Sequence, residues 1–200
     1  MGYEINPTNS DCYEGTSILI NKFGIKNQDN LDEIETLIVS LKSAQIEMDF
    51  DTSAELDFEF YKNIHRQLFS EIYEWAGSVR KINLSKKRTN FCPCEQIESL
   101  GVATFTRLIN MKYFSLLSGD KLIEEFADLY NNINYLHPFR EGNGRAQRLF
   151  LRLLCQKIGY NLDFDAIDHD ELMTATIHAS EGVLDGLKNI FVNIIKNNKD

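Results

Sequence analysis

The chain has 200 residues, 43% of them hydrophobic, which is enough for one domain with a full core; three prolines and eleven glycines leave little room for long linkers. A formal net charge of -9 argues against a general nucleic-acid binder or an anionic-membrane binder, because the surface as a whole repels polyanions. A protein partner or a metal-chelated small anion stays compatible with that charge.

The chain opens MGYEINPTNSD, without the basic-then-apolar pattern of a secretory leader, and no apolar run is long enough to span a bilayer. The four cysteines, Cys12, Cys92, Cys94 and Cys155, fit neither a paired zinc site nor a disulfide scaffold. Cytoplasmic residence, in a reducing compartment, is the expectation.

Helical periodicity dominates the chain. Asn30 reads as an N-cap with Glu33 three residues on, and Leu31, Ile34, Leu37, Ile38 and Leu41 recur at helical spacing. A second helix is expected from about Leu56 to Trp75, with Phe58, Tyr61, Ile64, Leu68 and Ile72 on one face. Residues 78–91, SVRKINLSKKRTNF, break the pattern: Val79, Ile82, Leu84 and Phe91 suit extended chain, and Ser85-Lys86-Lys87 suits a turn, so a short β-hairpin is predicted. Further helices are expected over 95–115, 168–180 and 182–197. Asp120 should cap another, whose stripe is Leu122, Phe126, Leu129, Ile133 and Leu136. Leu149, Leu151, Leu153 and Leu154 mark the helix after the glycine loop. The fold class expected is therefore all-α, a helical bundle with one β-hairpin.

Between the last two of these helices lies HPFREGNGRAQR, residues 137–148. A helix ending near Leu136 puts His137 at its C-terminus, and Pro138 follows because the helix has finished. Gly142 and Gly144 let the backbone turn its N–H groups inward. The next helix starts near Asn143 or Gly144, so its unpaired N–H groups and positive dipole end face the same loop, an arrangement that suits phosphate. Glu141 is a hard oxygen ligand of the kind that Mg²⁺ on a nucleotide requires. Arg145 and Arg148 stand three apart on the opening turn and offer permanently charged forks for phosphate oxygens. His137 alone has a reference pKa near neutrality and is the natural general base. Each feature alone is commonplace; together, within twelve residues, they suit a Mg²⁺–polyphosphate.

This stretch resembles the Fic-family signature H-x-F-x-[DE]-G-N-G-R-x-x-R at every defined position. IYEWAGSVRKINLSKKRTNF resembles the family's approach to its β-hairpin flap, and CYEGTSILINKFGI resembles the opening of short stand-alone members. The resemblance implies a Fic-type helical bundle: an N-terminal segment over 1–30, then a single domain over 31–198 with a flap at about 78–91 and an active-site loop at 137–148. It implies transfer of AMP from ATP, with Mg²⁺, to a Ser, Thr or Tyr hydroxyl of a target protein. His137 would be the base, Phe139 a buried anchor and Glu141 the metal ligand. Asn143 would hold the α-phosphate with the backbone of Gly142 and Gly144, Arg145 would bind the β-phosphate, and Arg148 the γ-phosphate. The flap, Ile82, Asn83, Leu84, Ser85, Lys86 and Lys87, would hold the target by backbone pairing. Its surroundings also carry Arg80, Lys81 and Arg88, so residues 79–91 hold five positive charges and no carboxylate.

Related activities stay open: a Doc-like kinase, whose loop has lysine where this chain has Gly144, removal of AMP, another nucleotidyl donor, or a silent nucleotide-binding module. Members of the family can be restrained by a helix bearing [ST]-x-x-x-E-[GN]. Ser10 to Gly15 matches formally but lacks helical periodicity, and Glu181-Gly182 is preceded by Ile177 where Ser or Thr is needed. A separate small antitoxin supplying the glutamate is the expectation. Self-association, seen among such domains, is not readable from the sequence.

Overall fold

A computed structural model describes residues 11–86 and 89–197. Seven α-helices are present among them: α1 (Gln28–Met48), α2 (Phe58–Phe69), α3 (Ile97–Asn110), α4 (Gly119–Leu136), α5 (Asn143–Lys157), α6 (His169–Ser180) and α7 (Asp185–Ile194). Strands β1 (Ser85–Lys86) and β2 (Thr89–Asn90) pair antiparallel, with Ser85 opposite Asn90 and Lys86 opposite Thr89. The expected class, a helical bundle with a short hairpin, is the class observed. A second antiparallel ladder, β3 (Tyr160–Leu162) with β4 (Ile195–Asn197), corrects the helix expected over 182–197: α7 stops at Ile194, and residues 195–197 pair with the strand after α5. No helix among the described residues is long and apolar enough to cross a membrane.

Local chemistry sets the helix starts. The Asn27 side chain accepts from Asn30 N–H at 3.0 Å, so α1 begins at Gln28 and Asn30 is the recipient of the cap, not the cap itself. The buried face of α1 is also rotated from the expected stripe. Leu31, Glu35 and Val39 are buried, whereas Leu37 and Leu41 are 62% and 65% exposed. Asp57 caps α2 by accepting from Phe60 N–H at 2.7 Å. That helix stops at Phe69, short of Trp75, and residues 70–77 form turns in which the N–H groups of Ile72 and Tyr73 both return to the Phe69 carbonyl. Ser118, not Asp120, occupies the N-cap of α4, and Asp120 lies in the first turn, where its charge favours the dipole. Asp168 caps α6 through the N–H groups of Asp170 and Glu171.

α2 is central. Tyr61 stacks on Phe105 of α3 at 5.3 Å and meets Phe150 of α5 edge-on at 5.5 Å, while Phe58 packs on Phe105 at 5.5 Å. These rings are all nearly or wholly buried, and aromatic pairs at this separation add to the area effect. The 137–142 segment is laid over this cluster, with Phe139 wholly buried 5.4 Å from Tyr61.

Candidate active site

α4 ends at Leu136, and His137 follows at φ 40°, ψ 58°, a left-handed conformation that is strained for a side chain of this size. Its backbone is held on both sides. The N–H reaches the Ile133 carbonyl at 3.1 Å, and its own carbonyl accepts from Arg80 Nε at 2.8 Å. The ring is assigned just as firmly. Nδ1 lies 3.1 Å from the Asn134 carbonyl, which can only accept, so Nδ1 carries the proton and Nε2 the lone pair. Phe91, at the foot of the hairpin, stacks on the imidazole with 3.7 Å between centroids.

The loop between His137 and α5 is shaped by one side chain. The Asn143 amide accepts from Phe139 N–H at 2.9 Å and donates to the Phe139 carbonyl at 2.8 Å, which closes a tight turn. At its apex, Gly142 has φ +78°, and a Cβ there would lie 2.4 Å from the Phe69 ring. His65 supports the turn from below. Its Nδ1 accepts from Gly77 N–H at 2.9 Å, so Nε2 must carry the hydrogen donated to the Glu141 carbonyl at 2.9 Å. The His65 ring also stacks on Phe139 at 3.8 Å. Burial pushes the His65 pKa down to about 3, so it stays neutral and keeps this tautomer.

α5 therefore opens with no side chain over its N-terminus. Gly142 N–H donates to Glu141 Oε1 at 2.9 Å, but among the described residues no acceptor takes the N–H groups of Asn143, Gly144 or Arg145. An anion meets both these donors and the helix dipole. Arg148, half-buried one turn on, has no carboxylate within ion-pair distance among the described residues. Burial lowers its pKa, Tyr130 and Asp165 push it back up, and Arg145 and Arg152 lower it further; the guanidinium still remains charged. A half-buried cation without an ion-pair partner among the described residues, beside open N–H donors, suits an anion.

The first arginine is different. Arg145 pairs with Glu35 of α1, lies 3.9 Å from Glu141 and rests over the Phe69 ring at 4.9 Å. Burial raises the pKa of Glu141, Gly142 N–H and Arg145 pull it back down, and Glu35 adds to the rise. No group of three or more His, Cys, Asp or Glu side chains among the described residues can hold a metal. One carboxylate beside a phosphate cradle suits a divalent ion that arrives already bound to polyphosphate oxygens.

The structure thus brings together His137, Glu141, Gly142, Asn143, Gly144, Arg145 and Arg148 around one loop. It changes the expected role of Arg80, which is not a surface charge of the flap. Arg80 is buried at 4% exposure, and its guanidinium donates to the carbonyls of His137, Ile82 (2.6 Å) and Cys92 (2.6 Å), while its N–H meets the Pro138 carbonyl at 2.8 Å. Burial behind three carbonyls makes it the rivet between hairpin and loop. In the flap, Leu84 is buried, Ile82 and Ser85 are half-buried, and Asn83 Oδ1 accepts from Cys94 N–H at 2.8 Å. Lys87 and Arg88 lie outside the described residues, as does Ser10 of the formal inhibitory match. Glu14, from the same match, sits exposed in a turn, and Glu181 is the C-cap of α6.

Sequence reasoning missed four contributors: Glu35, His65, Tyr73 and Phe91. Glu35 carried a signal, since it stands at helical spacing between Leu31 and Val39 on the buried face.

An α-helical bundle with a glycine loop between two core helices, a histidine at its mouth and a helix N-terminus open beside it defines the class of scaffold. The sequence model of the Fic/DOC family matches residues 55–155, and the chain belongs to that family. It is 35% identical over 174 residues to Probable protein adenylyltransferase y4lH of Sinorhizobium fredii, covering 86% of this chain and 88% of that one. It is 32% identical over 183 residues to Probable protein adenylyltransferase Fic of Escherichia coli, covering 92% and 90%. Among solved structures, BepC of Bartonella tribocorum with bound AMPPNP superposes with a TM-score of 0.86 at 28% identity, covering 94% of this chain and 96% of the other.

Proposed function

We propose that this chain is a protein adenylyltransferase that moves AMP from Mg–ATP to a Ser, Thr or Tyr hydroxyl of a target protein. The observation that carries the reading is the half-buried Arg148 guanidinium, without a carboxylate partner among the described residues, beside the open N-terminus of α5. The names of the relatives and the nucleotide bound to BepC support the same donor class.

In this reading the triphosphate lies along the loop. The backbone N–H groups at the start of α5 receive the α-phosphate, where negative charge grows during transfer. Asn143 shapes that cradle through its clasp on both backbone groups of Phe139. Arg145 takes the β-phosphate and Arg148 the γ-phosphate, and Glu141 supplies an oxygen to the Mg²⁺ of the substrate. The metal, when bound, neutralises charge on the leaving pyrophosphate.

The target hydroxyl oxygen forms a bond to the α-phosphorus as the bond from that phosphorus to the bridging β-oxygen breaks. The hydroxyl proton passes to the lone pair on His137 Nε2, and pyrophosphate leaves. The hairpin, with Ile82 to Lys87, would align the target by strand addition, chiefly through its backbone because Leu84 is buried.

Arg148 also bears on control. A glutamate from a separate small antitoxin would satisfy the guanidinium and exclude the γ-phosphate, whereas Glu14 and Glu181 make no ion pair with it. Unpaired cysteines at 12, 92, 94 and 155 suit a reducing cytoplasm. The test of the main reading is incubation of the protein and a cell lysate with ATP labelled at the α- or the γ-phosphate. Label should enter protein from the α-position and vanish in His137→Ala; label arriving from the γ-position alone would mean a kinase.

A further inference from the structure

The catalytic loop does not hold its first arginine unaided. Glu35, two turns into α1 and only 5% exposed, forms an ion pair with Arg145 Nη2 through Oε1. Its other oxygen, Oε2, accepts from the Tyr73 hydroxyl at 2.5 Å. Burial, with Glu35 next, raises the Tyr73 pKa far above its usual range, so the Tyr73 hydroxyl keeps its proton and donates to Glu35. The Phe69 ring, from α2, closes the remaining side of the guanidinium.

The carboxylate contacts of Arg145, to Glu35 and at longer range to Glu141, both use Nη2. Among the described residues Nε and Nη1 make no hydrogen bond. A guanidinium presents five N–H donors in a rigid plane, so anchoring one corner fixes the direction of the others without consuming them. A competing, inhibitory carboxylate would instead occupy the phosphate-facing fork, and the second arginine, Arg148, has no such partner.

We infer that Glu35, braced by Tyr73, is a positioning residue that aims Arg145 at the β-phosphate of the bound nucleotide. The inference rests on the reading of Arg145 as a phosphate ligand, and it assigns a part of the nucleotide site to α1, outside the loop. Glu35 touches no substrate; it acts through Arg145. Its expected signature is selectivity for nucleotides that have a β-phosphate.

The experiment is calorimetric titration of the full chain with AMP, Mg–ADP and Mg–ATP, for wild type, Glu35→Ala, Glu35→Gln, Tyr73→Phe and Arg145→Ala. Affinity for Mg–ADP and Mg–ATP should fall roughly ten- to a hundredfold in Glu35→Ala, while AMP affinity stays within about twofold. Glu35→Gln and Tyr73→Phe, which keep the shape of the site, should fall between wild type and Glu35→Ala. In an Arg145→Ala background, Glu35→Ala should cost nothing further.

Equal weakening of AMP and ADP would assign Glu35 to the fold alone and overturn the inference. So would tighter ADP binding in Glu35→Ala, which would make the glutamate a competitor, or losses that multiply in the double variant. AMP transfer by the wild type is measured separately: a wild type that binds ADP through Arg145 and Glu35 yet transfers no AMP overturns the proposed reaction and leaves this inference standing.

Discussion

The phenyl ring of Phe91 lies face to face on the imidazole of His137, 3.7 Å apart and 14° from parallel. Phe91 is tied into the hairpin by its N–H, which meets the Leu84 carbonyl at 3.3 Å. The imidazole of His137 therefore takes its ring plane from the hairpin, while its tautomer comes from the Asn134 carbonyl on α4. Removing the stack frees χ2 of His137 without touching the phosphate groups. Phe91→Ala should lower kcat for AMP transfer about tenfold, with nucleotide affinity unchanged. Steady-state kinetics alongside titration with Mg–ATP check this, and an equal loss in both quantities would show a collapsed loop instead.

The two glycines of the loop should behave oppositely. Gly142 sits at φ +78° with the Phe69 ring where a Cβ would go, at 2.4 Å. Gly142→Ala should destabilise the fold by about 2 kcal/mol or more, since strain and overlap act together. At Gly144 a Cβ meets only the flexible end of Arg148, at 3.4 Å, and the residue is exposed. Gly144→Ala should change stability by less than about 0.5 kcal/mol. Chemical denaturation of both variants decides the matter.

His65 makes stability depend on pH. Burial, its largest influence, puts its folded pKa at about 3, below the unfolded value near 6.5. The unfolded chain therefore binds a proton that the folded chain refuses, and stability is lost as pH falls from about 6.5 toward 3. Between pH 6.5 and 5, above most carboxylate titration, this residue alone contributes a slope of up to about 1.4 kcal/mol per pH unit. His65→Phe should be less stable at pH 7, because the Gly77 N–H and Glu141 carbonyl lose their partner, yet show a flatter profile over that range. Urea titrations at closely spaced pH values would reveal an unchanged slope if another group were responsible.

The turn from α3 to α4 carries strain that can be removed. Lys112, Tyr113 and Phe114 have φ of 51°, 56° and 65°, three consecutive non-glycine residues in the left-handed region. Each such residue costs about 1 kcal/mol or more relative to glycine. Lys112 is exposed and its side chain has no ion-pair partner among the described residues. Lys112→Gly should raise stability by about 1 kcal/mol and the melting temperature by a few degrees.

How much could be seen in advance depended on whether a group's role was local. The loop from His137 to Arg148 stood out because its breakers, charges and histidine are contiguous, and their grouping needs no knowledge of what packs around them. Arg80 was misread because five basic residues and no carboxylate over 79–91 look solvated; only the arrival of the His137 and Cys92 carbonyls buries it. Glu35 was hidden inside a stripe drawn through Leu37 and Leu41, which tertiary packing turned outward. The β3–β4 ladder had too few residues for any period to register. Tertiary contacts, not local propensity, decided each of these cases.

The hydrogen bond from His65 to the Glu141 carbonyl joins positions 76 apart, and that from Arg80 to the His137 carbonyl joins positions 57 apart. Such closures come late, since the entropy of ordering the intervening chain must be met before they contribute. A nascent chain still missing α5 has His137 but neither Arg145 nor Arg148, and one with α5 but an unfolded N-terminal half has the arginines without their supports. Under the proposed reaction, a chain still being synthesised would be inert until these long-range closures form.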